Sequence, residues 1–213
     1  MNNLIFSAFL ISTLIGVSCL SYAQSHGAPD SKTFGFDISS VKGNNEFSNK
    51  IFDKIWEGFN YESDSKSGFK DMKDRILKES NEYRAAHDAK PLTVDSAIAQ
   101  KAQAYAEHLA KIGKMQHDPT NQKNKLGENL AFASPRIAHI GVKGWYDEVK
   151  DYNFKKQGFR HGIGHFTQLV WKSSSKVGCG VAAGSKGVFT VCKYSPAGNL
   201  MGAFEKNVSP KKA

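Results

Sequence analysis

The sequence predicts an α+β domain in three layers, with helices surrounding a small antiparallel sheet. Three observations carry this. Apolar residues recur at helical spacing through residues 69–83 and 98–112. A strand pattern runs through residues 128–133. Two β-rich segments, 177–182 and 188–194, flank the turn-forming cluster Gly184-Ser185-Lys186-Gly187.

Taken in order, the chain opens with an apolar stretch, residues 4–20, followed by Ser21-Tyr22-Ala23. Small residues at Ser21 and Ala23 match a signal-peptidase site, although Met1-Asn2-Asn3 lacks the usual positive charge. Residues 1–23 are therefore expected to be a signal peptide removed on export, with a retained anchor as the alternative. No second stretch is long and apolar enough to span a bilayer. Residues 24–68 form an extension rich in Ser, Gly, Asn and Asp. Within it Phe47, Ile51, Ile55 and Phe59 recur every four residues beside Phe52 and Trp56, an amphipathic helix of about three turns. Such a stripe packs onto a domain, faces a partner or meets a membrane; packing is the expected use.

The domain proper spans residues 69–213. Phe69, Met72, Ile76 and Tyr83 mark its first helix, closed by Lys90-Pro91. Ile98, Ala102, Tyr105, Leu109 and Ile112 mark the second, with Gly113 as its stop. Glu128, Leu130 and Phe132 alternate with Asn129, Ala131 and Ala133 along a strand. Trp145, Val149 and Tyr152 make a third helical face with Glu148 beside it. In Gly164-His165-Phe166-Thr167-Gln168-Leu169-Val170-Trp171 the apolar positions fit a short helix headed by His165. Centring the final hairpin on its glycine-rich turn sets Ala183 opposite Val188, Val181 opposite Thr190 and Cys179 opposite Cys192. Opposed residues lie about 4.5–5.5 Å apart at Cα, within disulfide reach. Loss of Cys19 with the leader leaves this pair, and one disulfide is expected; two free thiols are the alternative.

The formal charge is +9 and uneven: residues 24–69 hold five Lys against seven Asp/Glu, and later residues hold 24 Lys/Arg against 13 Asp/Glu. A basic domain suits an anionic surface or receptor. No nucleic-acid motif is present, and an exported protein seldom meets nucleic acid. Asn207-Val208-Ser209 is a glycosylation sequon followed by Pro210.

Four residues could carry chemistry: His117, Glu128, Glu148 and His165. Each falls at an edge between buried and exposed structure, but spacing alone does not bring them together. Between the last two, Tyr152, Phe154 and Phe159 alternate with Lys155, Lys156 and Arg160 in a glycine-containing loop. Rings for an apolar body and cations for a polar head suit an amphipathic ligand; rings anchoring the loop to the core are the alternative.

Four segments, in order, resemble the CAP superfamily of cysteine-rich secretory, antigen 5 and plant pathogenesis-related proteins. They are Gly127-Glu128-Asn129-Leu130, Trp145-Tyr146-Asp147-Glu148, residues 164–171 and Tyr194-Ser195-Pro196-Ala197-Gly198-Asn199. The flavour is nearest the Golgi-associated plant pathogenesis-related branch, although the leader and the hairpin cysteines look more like secreted members. Departures are Ser80 before Asn81-Glu82-Tyr83-Arg84, where the family often has histidine, Lys193 after Cys192, and the lack of a cysteine-rich C-terminal module. The resemblance implies an α-β-α sandwich whose cleft holds His117, Glu128, Glu148 and His165. It implies Zn²⁺ or another divalent ion held by the two histidines, modestly and losing affinity as they protonate near about pH 6–7. It also links the aromatic loop to sterol binding and an interhelical groove to fatty-acid or phospholipid binding.

The expectation is a secreted protein that binds a sterol or fatty-acid-like lipid and carries a cation-capable cleft. One alternative is a metal-dependent hydrolase or endopeptidase, with Glu128 or Glu148 as base and His165 as ligand or acid. The sequence has no His-Glu-x-x-His and no Gly-x-Ser-x-Gly, which lowers that reading. The other alternative is an extracellular effector or defence protein acting through its basic surface.

Overall fold

The computed structural model describes residues 42–212. The expected leader and the first part of the acidic extension lie outside the described residues. Helix α1 (Glu46–Trp56) is capped by Asn45, whose side chain accepts from the Ser48 N–H at 3.2 Å. It ends three residues before Phe59, at the point where Gly58 takes φ +68°. Phe59 folds back edge-on to Trp56, with ring centroids 5.0 Å apart.

Helix α2 (Tyr61–Lys66) had no periodic signal, being a short polar turn. Its buried Asp64 solves a problem in the next helix, α3 (Lys70–Ala86). Phe69 precedes α3 in the left-handed region and offers no capping side chain. Asp64 accepts from the Asp71 and Met72 N–H groups at 2.8 and 2.9 Å, satisfying donors that the helix leaves orphaned.

Strand β1 (Thr93–Val94) is too short for any pattern. Helix α4 (Ser96–Ile112) is capped by Asp95 and stopped by Gly113 at φ +61°, whose N–H donates to Leu109. A short α5 (Asn121–Asn124) leads to β2 (Gly127–Ala133). Helix α6 (Gly141–Asp147) follows a 3-10 turn; α7 (Gly164–Leu169), β3 (Lys176–Gly184), β4 (Gly187–Ser195) and α8 (Phe204–Asn207) complete the described chain. Glu148 is not on a helix face but opens a second 3-10 turn (Glu148–Asp151), because the helix tightens after Asp147.

Among the described residues the sheet has the order β1-β3-β4-β2. It is antiparallel except at the β1 edge, where Thr93 and Val94 pair in parallel with Lys176 and Val177. The hairpin register is the expected one at Ala183↔Val188, Val181↔Thr190 and Cys179↔Cys192. The Cys179–Cys192 disulfide is formed, with Cα atoms 4.2 Å apart.

One layer is α4. It approaches β3 so closely that a Cβ on Gly178 would sit 2.1 Å from the Ala99 nitrogen, and one on Gly180 2.3 Å from the Gln103 Cα. Ala102, Ala106 and Leu109 meet Leu130, Phe189 and Val191 there. Ile112 and Phe132, assigned inward by periodicity, are exposed: Ile112 is the last residue of α4, and Phe132 lies on β2, an edge strand of the sheet.

The layer containing α3, α6 and α7 is rich in aromatic rings. Tyr83 stacks on Tyr146 at 4.1 Å, and Tyr146 meets Phe166 at 5.8 Å. Helix α1 docks here, burying Ile51, Phe52 and Trp56. The Trp56 indole donates to buried Glu79 at 2.8 Å, and the Ser48 hydroxyl donates to Asp147 at 2.6 Å. Burial pushes the Glu79 carboxyl up to about 8, against the pull of its bonds from Trp56 and Tyr83. Buried Arg84 stitches α3 to the α7–β3 loop. Its guanidinium donates to the carbonyls of Leu169, Trp171 and Ser174 at 3.0, 2.9 and 2.7 Å, and to Lys90 at 2.8 Å.

Candidate functional site

The four chemical residues come together as two His–Glu pairs. His117 lies in the loop released by Gly113 and steadied by Tyr105, whose hydroxyl donates to the Gln116 carbonyl at 3.0 Å. Its Nδ1 meets Glu128 Oε1 at 2.7 Å, and the Asp118 N–H donates to the same oxygen at 3.1 Å. On β4, Lys193 stands directly opposite Glu128. Its Nζ donates to Glu128 Oε2 at 2.7 Å, Asp118 Oδ2 at 2.9 Å and Asn121 Oδ1 at 2.5 Å. With all three donors used and 1% of the residue exposed, this lysine is a buried counterion. It also lies 5.0 Å above the Tyr105 ring.

Burial pulls the Glu128 carboxyl upward, but the bonds from His117, Lys193 and the Asp118 N–H together outweigh it and hold the pKa below its ordinary value. Asp118 behaves likewise: burial raises it, and the bonds from Lys193 and Thr120 bring it below the usual range. The Glu128 bond raises His117 above the ordinary histidine value, against a smaller opposing effect of burial.

His165 opens α7, whose own N-cap, Ile163, has no capping side chain. Glu148 supplies the cap from the neighbouring turn. Glu148 Oε2 accepts from the His165 and Phe166 N–H groups at 2.9 and 3.1 Å. Glu148 Oε1 meets His165 Nδ1 at 2.6 Å. One carboxylate therefore starts the helix and orients its first imidazole. The ring also stacks near Trp145, at 6.4 Å between centroids, and Trp145 is held by its indole donating to the Leu130 carbonyl at 2.8 Å.

Strand β2 anchors both pairs. Successive strand residues point to opposite faces. Glu128 turns toward Lys193 and the α4 layer, while the Asn129 amide donates to the His165 carbonyl at 3.0 Å. In each pair a carboxylate accepting from Nδ1–H leaves Nε2 with the lone pair, the arrangement that prepares an imidazole for a proton or a metal ion. All four carboxylate oxygens are engaged. Among the described residues, no three His, Cys, Asp or Glu side chains form a set able to hold a metal ion. A divalent ion here would have the two imidazole nitrogens as its protein ligands, with water or ligand completing its shell. Neither imidazole has a hydroxyl or thiol hydrogen-bond partner among the described residues.

The aromatic loop divides. Tyr152 is 7% exposed and packs on Phe154 and Phe166 at 4.8 and 5.6 Å. Phe154 is half-buried, 6.3 Å from Phe166 and 6.5 Å from the His87 ring. Phe159 is 52% exposed. Tyr152 and Phe154 therefore anchor the loop to the core, and Phe159 is the ring that faces outward. The Tyr152 hydroxyl and Gln157 Oε1 are buried without a hydrogen-bond partner.

Sequence reasoning missed Lys193, Asp118 and Asn121 as site residues. One signal existed for Lys193: it shares strand parity with Phe189 and Val191, so it points into the core. Nothing local revealed that Glu128 would meet it there.

The sequence profile of the family described as "CAP: Cysteine-rich secretory protein family" matches residues 77–194. The human Golgi-associated plant pathogenesis-related protein 1 is 42% identical over 151 residues, which is 69% of this chain and 98% of that protein. The secreted protein RBT4 of Candida albicans is 38% identical over 146 residues, 66% of this chain and 39% of that protein. Among solved structures, NaASP2 with Zn²⁺ is similar at a TM-score of 0.52 and 27% identity, covering 66% of this chain and 86% of that one. BmVAL-1, at 22% identity and a TM-score of 0.51, shares the fold.

Proposed function

Because the chain belongs to the CAP, or cysteine-rich secretory protein, family, we propose that it is an exported binding protein for a small amphipathic lipid, a sterol or a fatty-acid-like molecule, taken up at the loop of residues 152–160. Export is supported by the apolar leader pattern and by the printed name of the Candida albicans relative, a secreted protein.

The observation that carries the lipid reading is the Tyr152 hydroxyl, buried among aromatic rings with no partner. Leaving such a group unpaired costs about 1–3 kcal/mol. A lipid hydroxyl that accepts from Tyr152 or donates to Gln157 Oε1, or a lipid carboxylate that accepts from Tyr152, recovers that cost, while Phe159 offers an apolar face to the rest of the molecule. The test is retention of labelled sterol and labelled fatty acid. Wild type should hold one of them stoichiometrically, Tyr152→Phe and Phe159→Ala should each weaken it about tenfold, and His165→Ala should leave it unchanged. Failure of wild type to retain either lipid rejects the reading.

A second reading, a divalent-cation site, is favoured by the two carboxylate-backed imidazoles and by the related NaASP2, solved with Zn²⁺. His117 and His165 would hold the ion through Nε2, and the ion would supply Lewis acidity to a bound water. Zinc calorimetry that gives the same isotherm for wild type and His117→Ala/His165→Ala would remove this site. Hydrolysis with Glu128 or Glu148 as base has less support, since both oxygens of each are already engaged.

A further inference from the structure

Helix α4 carries two stripes. Ala102, Ala106 and Leu109 enter the core, whereas Lys101, Ala104, Tyr105 and His108 recur at i, i+3, i+4 and i+7 beside it. The chain after Gly113 folds back along this second stripe and is tied to it twice. The Tyr105 hydroxyl donates to the Gln116 carbonyl at 3.0 Å, and the Lys101 ammonium donates to Asn124 Oδ1 at 3.2 Å. All four tying residues line a cavity of about 470 Å³ between helix and loop. That volume lies within the range of small-molecule sites.

The polar groups of the lining favour one sign of ligand. Asp118, its one carboxylate among the described residues, is fully engaged. Asp118 Oδ1 accepts from the Thr120 N–H and hydroxyl at 2.8 and 2.7 Å, and Oδ2 accepts from Lys193 at 2.9 Å. The donors are not used up. Lys101 gives one of its three N–H groups, to Asn124. The Gln116 side-chain amide and the His108 imidazole have no hydrogen-bond partner among the described residues. Spare donors, an ammonium and no free carboxylate select an anion.

The rings define the rest of the ligand. Tyr105 and His108 lie near-parallel, with planes 26° apart and centroids 5.6 Å apart. Ala104, Pro119 and Leu126 add apolar wall. A flat aromatic body gains by offset stacking on such rings.

We propose that this cavity binds a small aromatic carboxylate, with its ring on Tyr105 and His108 and its carboxylate on Lys101. Lys193 is part of the wall, so the occupant sits beside the ammonium that holds Glu128 and Asp118. The cavity shares no residue with the loop of residues 152–160, and the proposal stands apart from the lipid reading.

The test is calorimetry of the purified protein with naphthoate, the neutral naphthylmethanol and the sugar acid glucuronate. Naphthoate should bind one to one and more tightly than the other two. Lys101→Gln should weaken naphthoate about tenfold, the loss of one charged hydrogen bond, and leave naphthylmethanol unchanged. His108→Ala should weaken naphthoate and naphthylmethanol alike, about fivefold. Both positions are exposed, so thermal melting should match wild type, and both variants should retain sterol or fatty acid as wild type does. In NMR spectra the side-chain amide signals of Gln116 and Asn124 should move as naphthoate is added. No naphthoate binding, equal binding of naphthoate and naphthylmethanol, or naphthoate binding unchanged by Lys101→Gln overturns the proposal. Tighter binding of glucuronate also overturns it and makes the cavity a site for acidic sugars. So does naphthoate binding that Phe159→Ala abolishes and Lys101→Gln spares, which would put the ligand in the lipid loop.

Discussion

Glu128 and Lys193 face each other across β2 and β4, with carboxylate and ammonium 2.7 Å apart and both side chains withdrawn from solvent. This contact organises the His117 side of the site, because the same lysine also holds Asp118 and Asn121. The net worth of a buried ion pair is small, but breaking it from one side is costly.

Lys193→Met should therefore destabilise the protein by about 3–5 kcal/mol, since Glu128 and Asp118 lose their buried counterion. Adding Glu128→Gln to Lys193→Met should recover part of that loss. Urea unfolding of the two single variants and the double variant measures the coupling; additive losses would show that the pair is not coupled.

Arg84 should be irreplaceable by lysine. It serves four carbonyls from one planar fork, and a single ammonium cannot reach that spread. Arg84→Lys and Arg84→Met should each lower stability by roughly 3 kcal/mol or more, because buried carbonyls lose their donor. Chemical denaturation of both variants checks this.

Acid should loosen the α1 dock through His139. That ring lies 5.3 Å from Phe52, 5.2 Å from Trp56 and 5.3 Å from Phe59. Burial, then the nearby charges of Arg75 and Lys42, lower its pKa to about 4. A folded-state pKa below the unfolded value gives stability that is present above about pH 6.5 and lost as pH falls toward 4. Glu79, pushed up to about 8, has the opposite slope, gaining stability as pH falls from about 8 to its unfolded value. The test is therefore a difference: wild type minus His139→Phe should lose stability between about pH 6.5 and 4. A flat difference curve would refute the assignment.

The Asn207 sequon should stay unmodified. Asn207 is 3% exposed, its Oδ1 accepts from the Ser173 N–H at 2.9 Å and hydroxyl at 2.6 Å, and its amide donates to Ala203 at 2.8 Å. Mass spectrometry of secreted protein should show the bare asparagine. Asn207→Ala should destabilise by about 1 kcal/mol, since the side-chain bonds that tie Asn207 to Ser173 and Ala203 are lost.

Much of the fold was legible because it repeats locally. The α4 stripe ends at the glycine that spacing named, and the hairpin register follows from its turn. The parallel β1 pair was not legible, since two residues carry no period. The end of α1 was misplaced because Phe59 continues the four-residue rhythm while Gly58 turns the chain. The aromatic loop illustrates the same limit. Tyr152, Phe154 and Phe159 are chemically alike in sequence, but only contact with Phe166 decides which rings anchor the loop.

By itself, the sequence determined the longer helices α1, α3 and α4, the short α7, the hairpin and its disulfide, and named His117, Glu128, Glu148 and His165 one at a time. Tertiary structure decided their pairing, the buried Lys193 beneath one pair, and the approach of Phe159 and Asn199 to Gly164. The physical reason is range. Helix and strand periods are set within a few residues, whereas Glu128 and Lys193 are 65 residues apart and meet only because β2 lies beside β4.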